Sequence, residues 1–377
     1  MRFNPTRLSI ARKRAMLTKK ALAEKIGVAR HTVLRWEDVD SMLPTPEPTE
    51  ENICALVAVL GFPKAFFFGD DVDEPIGELT SFRSQTSMAA SERDAALAAG
   101  QIGCMIWDWV SAKFDLPTVK IPDLRDNPDP ESAAQILRNE WGLGEKPISN
   151  MIQLLESKGV RVFSLAENTS HVNAYSFWRR GEPFVFLNNF KTSECSRFDA
   201  AHELAHLVLH RDGAVTGRKA EDQANQFASA FLMPRADVFA TLPHVISLEQ
   251  LIAAKARWKV SLAALNYRVH KLKLTSDWRN RDLCIEMSKR GYNKSEPQGI
   301  PWERSVVWEK VLRELFLEQT THEDIARELN IPVCEVNDLL FGVIGRAAAP
   351  ACQLGTFTVV QPTTAQDNQP DYPKAIA

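Results

Sequence analysis

The chain has 377 residues, 45% of them hydrophobic and 25% charged, with a formal net charge of −3. This composition excludes a disordered or fibrous polypeptide and leaves room for two or three domains with a sizeable core. The six cysteines form no C-x-x-C pair, which excludes a disulfide framework or zinc ribbon and points to reduced thiols. No apolar run approaches the roughly 18 residues of a membrane span, and no apolar leader opens the chain, so a cytoplasmic protein without a membrane partner is expected.

Residues 1–36 carry Arg2, Arg7, Arg12, Lys13, Arg14, Lys19, Lys20, Lys25, Arg30 and Arg35 against Glu24 as their one acid. Acids follow at Glu37, Asp38, Asp40, Glu47, Glu50 and Glu51, so the modest net charge conceals a basic segment suited to nucleic acid. Apolar spacing predicts helices at 8–16, at 18–26 with Thr18 as N-cap, and at 28–36, with Gly27 making the turn. That is a helix-turn-helix layout. A helix at 50–60 and an aromatic segment, Phe62 with Phe66, Phe67 and Phe68, complete a small core.

The string Leu17-Thr18-x-x-x-Leu22-Ala23-x-x-Ile26-Gly27-Val28-x-x-x-Thr32-Val33-x-x-Trp36-Glu37 resembles the Xre/Cro family of DNA-binding domains. The resemblance implies a five-helix domain over residues 1–70 whose third helix enters the major groove of a double-stranded operator. Ala29, Arg30, His31 and Thr32 would read bases, and Arg35 with Lys19 or Lys20 would contact phosphates. A palindromic operator would imply a homodimer. Two departures are visible: Ala29 stands where the family often has a capping serine, and residues 38–48 are longer and richer in proline than usual.

Residues 71–130 read as a linker and helical connector. The stretch 70–78 is acidic, with Pro75 and Gly77; 91–114 has helical apolar spacing; 116–130 is broken by four prolines. Helices are predicted at 131–141 and 148–158. Short β-type runs follow at 160–165, 174–178 and 184–187, the last two joined across Arg179-Arg180-Gly181-Glu182. They predict a small, largely antiparallel sheet, and hence a mainly α protein of the α+β class.

Residues 199–210 contain His202, Glu203 and His206 in the pattern H-E-x-x-H. Residues four apart on a helix lie about 6 Å along its axis and nearly one turn round, so both imidazoles share a face and suit one Zn²⁺. Glu203 is placed to act as a general base on water at the open position. A catalytic site needs a third ligand, and residues 221–234 predict a second amphipathic helix that supplies Glu221, with Asn225 on the same face to orient an imidazole. Asp222 is the competing carboxylate, turned by about 100°. His210 lies a further turn along and reads as structural, and Cys195 as a small apolar residue.

Arg197-Phe198-x-x-Ala201-His202-Glu203-x-x-His206, followed by Glu221-x-x-Ala224-Asn225-x-Phe227-Ala228 and Leu232-Met233-Pro234, resembles the ImmA/IrrE family of zinc metallopeptidases over about residues 131–300. The resemblance implies zinc on His202, His206 and Glu221, with Glu203 as catalytic base. It also suggests that 184–187 is the sheet edge on which a substrate adds as a strand.

Beyond residue 234, helices are predicted at 247–258, 261–272, 302–318 and 321–341. The last stretch has helix-turn-helix spacing, but its would-be reading helix holds Glu335 and Asp338, the wrong charge for phosphates. Residues 301–346 therefore read as a helical interaction module, and 347–377 as a disordered tail. Together these features suggest a DNA-binding regulator with a zinc endopeptidase domain that cleaves itself or a partner repressor under stress. The alternative is a non-proteolytic transcription factor or antitoxin-type repressor whose zinc fold senses a metal or ligand.

Overall fold

The computed structural model describes residues 2–39, 47–73, 81–84, 89–127, 129–165, 172–188, 190–211, 213, 215–245, 247–292 and 295–344. The predicted tail at 347–377 and most of the linker at 70–78 lie outside these residues.

Four helices and a 3-10 segment open the chain: α1 Pro5–Arg14, α2 Lys19–Ile26, α3 Arg30–Trp36, α4 Glu50–Leu60 and the 3-10 turn Lys64–Phe68. Helix α1 begins earlier than predicted because Asn4 Oδ1 accepts the Thr6 N–H at 2.8 Å and Pro5 fills the first position, where a missing donor costs nothing. Thr18 Oγ1 caps α2 through the Ala21 N–H at 3.1 Å. Gly27, with φ +73°, turns the chain into α3 at no Cβ penalty. Leu22, Ala23, Val33 and Trp36 are buried together with Leu8, Leu56 and Phe66.

The sheet has four strands in the order β1 (Ser81–Ser84), β3 (Val172–Arg179), β4 (Glu182–Leu187) and β2 (Arg161–Ser164). Strands β3 and β4 form the predicted hairpin, with Arg180 at φ 50° and Gly181 at φ 81°, the left-handed pair that a tight two-residue turn requires. Two features correct the sequence reading. Strand β2 pairs with β4 in parallel, Arg161 opposite Phe184 and Ser164 opposite Leu187, and β1 adds antiparallel to β3. The segment 184–187 is therefore not an edge. Its unbroken Phe-Val-Phe-Leu run is buried throughout, as strands covered on both faces are.

Helix α5 (Ala90–Ser111) lies on one face of the sheet. Gly100 and Gly103 permit the approach: a Cβ on either would fall 2.8 Å from the Tyr175 hydroxyl or the Phe186 ring. The Tyr175 hydroxyl donates to Ala96 O at 2.6 Å. Beneath it Tyr175 and Phe186 stack at 4.8 Å, Phe163 and Phe186 at 5.2 Å, and Phe177 and Phe184 at 5.3 Å. Each such pair contributes about 0.5–1.5 kcal/mol beyond the area it buries.

Helices α6 (Pro130–Glu140) and α7 (Met151–Ser157) precede β2, and after the sheet come α8 (Ser193–Leu209), α9 (Gly217–Leu232), α10 (Arg235–Thr241), α11 (Leu248–Trp258), α12 (Leu262–Lys271) and α13 (Asp277–Lys289). Three more complete the order: α14 (Val307–Leu317), α15 (His322–Leu329) and α16 (Val333–Ile344). Trp308 on α14 donates its indole N–H to Val162 O at 2.7 Å and packs on Phe163. Ser164 bonds Asp338 O, which ties α16 to β2.

Asn330, left-handed at φ 55°, links α15 to α16 in the predicted helix-turn-helix arrangement. Glu335 of α16 is buried against Arg14 of α1, with Arg14 Nε at 2.9 Å and Nη2 at 2.8 Å, while Arg14 Nη1 donates to Ala95 O of α5 at 3.3 Å. Among the described residues no helix is long and apolar enough to cross a membrane.

Candidate metal centre

Helix α8 is buried along almost its whole length, so polar anchors set its position. Thr192 Oγ1 caps it through the Cys195 N–H at 3.3 Å. Lys255 of α11 meets Glu194 at 3.0 Å, both only 1% exposed, and Arg197 bonds Glu303 and Ile148 O. Helix α9 crosses α8 with its apolar face inward, including Ala224, Phe227, Ala228 and Phe231. Arg138 of α6 caps its end at Phe231 O (2.5 Å), and Arg268 of α12 holds Met233 O at 2.9 Å.

This crossing brings His202, His206 and Glu221 together, with ligand atoms all within 4.8 Å of one another. The two Nε2 atoms are 3.1 Å apart. Glu221 Oε2 is 3.3 Å from His202 Nε2, and Oε1 is 3.4 Å from His206 Nε2.

The hydrogen-bond partners behind each imidazole determine which nitrogen faces the cluster. Asn225 Oδ1 can only accept, so His202 Nδ1, at 3.1 Å, carries the proton and its Nε2 presents a lone pair. On the other ring the logic takes two steps. Gln223 Oε1 accepts from His210 Nε2 at 2.9 Å, which makes His210 Nδ1 an acceptor, and His206 Nδ1 donates to it at 2.9 Å. His206 Nε2 is thereby also a bare lone pair.

Two lone pairs and a carboxylate at these separations repel unless a cation lies between them. A tetrahedral zinc with ligands at about 2.0–2.2 Å places its donors roughly 3.3–3.5 Å apart. The observed spacings and the borderline nitrogen–oxygen donor set fit that ion.

Glu203, fully buried, accepts a hydrogen bond from the Ser176 hydroxyl of β3 at 2.6 Å on Oε2. Trp178 on the same strand donates to Leu207 O at 3.2 Å, so the register of β3 sets how the carboxylate meets the helix. Asp222, the rival ligand, points away and pairs loosely with Arg218 at 4.0 Å. It lines a cavity of about 390 Å³ between α8, α9 and α12 with Phe198, Asp199, Asn225 and Tyr267. Cys195 lines the same cavity, and burial raises its thiol pKa.

His210, read from sequence as structural, is the residue that spacing arithmetic undervalued. It stands beyond the ligand cluster yet supports His206 from behind. Loss of such support commonly costs about 10–100-fold in metal affinity. Competition with a chromophoric chelator is accordingly expected to show weaker zinc binding in His210→Leu, with much of the loss recovered in His210→Gln, which keeps an acceptor.

On the N-terminal helices, Lys20, Ala29, Arg30, His31 and Arg35 are exposed and Thr32 is half-buried. Ala29 makes no side-chain cap. Lys19 is half-buried and pairs with Glu37 at 3.4 Å. Three other bases in the segment face inward: Arg12 binds Glu37 at 2.6 and 2.9 Å, Arg7 donates to Asp70 O at 2.7 Å, and Arg14 meets Glu335. A count of charges alone therefore overstates the basic surface.

No curated protein matches the chain. Residues 155–270, a span containing β2, β3, β4, α8 and α9, match the Peptidase_M78 family model, the IrrE N-terminal-like domain.

Proposed function

We propose that the protein is a zinc-dependent endopeptidase joined to a DNA-binding helix-turn-helix unit, and that cleavage of itself or of a partner repressor switches a promoter under stress. The observation that carries the peptidase reading is the convergence of His202, His206 and Glu221, with lone pairs turned inward, beside the buried Glu203. The match of residues 155–270 to a peptidase family model supports it.

Zinc bound by His202, His206 and Glu221 would polarise a peptide carbonyl and lower the pKa of water towards about 7. Glu203 takes a proton from the attacking water and returns it to the leaving amine. Ser176 holds Oε2 of that carboxylate and so fixes its orientation. The neighbouring cavity gives room for a substrate side chain.

The DNA-binding reading is supported by the Thr18 cap, the Gly27 turn and the outward face of α2 and α3. Arg30, His31, Thr32 and Ala29 lead into the major groove, and Arg35 and Lys20 approach phosphates, with Lys19 shared with Glu37. Two measurements test the pair of activities. Protein purified without chelators is expected to carry one zinc, lost in His202→Ala; less than about half an equivalent, unchanged by that substitution, defeats the metal assignment. Binding to its own upstream DNA at low salt should weaken by about 1–3 kcal/mol in Arg30→Ala, and no binding at all removes the regulator reading.

A further inference from the structure

We infer that residues 81–84 are seated where this peptidase receives a peptide, and that this stretch of the chain is its own substrate. The inference rests on the peptidase reading above. An extended peptide docks on a sheet by adding a strand to an open edge, where main-chain hydrogen bonds hold it. With β4 and β2 on one side, β3 has a single remaining edge, and β1 occupies it antiparallel, Ser81 opposite Ser176 and Phe82 opposite Tyr175. Ser176 is the residue whose hydroxyl holds Glu203. Antiparallel partners have Cα atoms about 4.5–5.5 Å apart, so the backbone at Ser81 passes one strand spacing from the support of the base.

Asp73 meets Arg179 Nε at 2.9 Å and Arg180 Nε at 2.8 Å, at the hairpin end of β3. Strand β1 runs away from that hairpin end, from Ser81 opposite Ser176 to Ser84 opposite Val172. The strand has only four residues, and its register shifts between Phe82 and Ser84. A short, irregular strand is a poor structural element and a good guest, since few ladder bonds must break for its carbonyls to move.

Hydrolysis at this position adds a water oxygen to a backbone carbonyl carbon and breaks the C–N bond. One water proton travels through Glu203 to the leaving nitrogen and the other is lost from the new carboxyl group, giving a carboxylate and an amine. The cut falls after Asp73 and before α5. It divides the chain between the helices that carry Arg30 and Arg35 and everything that holds the metal.

Zinc-loaded full-length protein is incubated beside Glu203→Gln and a variant in which residues 81–84 become Pro-Gly-Pro-Gly, and new termini are mapped by mass spectrometry. The expected result is a new N-terminus between residues 81 and 85 in the wild type, lost in both variants, which still bind zinc. Zinc-loaded wild type that stays whole in this segment overturns the inference, and so does cleavage of the replaced variant at the wild-type rate. Should the replaced variant unfold, the comparison of wild type with Glu203→Gln decides alone. Wild type that binds no zinc defeats the peptidase reading instead.

Discussion

Glu203→Gln is expected to lower peptide hydrolysis by roughly 10²–10⁴-fold, the usual contribution of a positioned acid–base group, while zinc content and melting temperature stay near wild type. The amide is isosteric, and its oxygen can still accept from Ser176, which holds the native carboxylate at 2.6 Å. What it lacks is basicity. The measurement is made in cells with tags at both termini and a reporter on the protein's own promoter, across DNA damage and other stresses. Fragments and a reporter change in the wild type alone identify the peptidase as the switch. If both proteins regulate alike and neither is cut, the centre is a sensor.

The second large effect concerns stability. Arg14 and Glu335 are both nearly excluded from solvent and meet at 2.8 Å. Burial works against the Arg14 charge, and attraction to Glu335 more than offsets it, leaving the guanidinium pKa raised. Removing one partner strands the other charge in the interior, which typically costs about 3–5 kcal/mol. Arg14→Ala and Glu335→Ala are each expected to shift the urea midpoint by that order, and a double substitution to leucine to recover most or all of it. Single substitutions with losses under about 1 kcal/mol would mean that water reaches the pair.

The same pair explains part of what was legible in the sequence. His202, Glu203 and His206 could be placed from spacing alone because helical periodicity is local, and Glu221 followed because α9 is amphipathic. Arg14 could not be placed: its partner lies 321 residues away, and an arginine bound for an interior ion pair has the same letters around it as one bound for phosphate. Arg12 and Arg7 were misjudged with it for the same reason.

Sheet order failed differently. The hairpin of β3 and β4 is signalled by Arg180-Gly181, but the parallel pairing of β2 with β4 and the arrival of β1 are non-local. Burial on both faces also erases the alternation that would mark an edge. His210 was set aside because one further helical turn carries it past the metal; its importance lies in touching His206, which depends on Gln223 from another helix.

The placement of α14 and α16 against β2 bears on how the chain acquires its fold during synthesis. Trp308 and Asp338 close over a strand that ends at Ser164, and Glu335 receives an arginine made more than three hundred residues earlier. A ribosome must therefore release nearly the whole described chain before the sheet is covered and α1 is locked. Contacts so distant in sequence fold slowly. During that interval α1 can already rest on α5, where Arg14 Nη1 reaches Ala95 O, but its guanidinium waits for Glu335, so the closing of this ion pair is among the last events of folding.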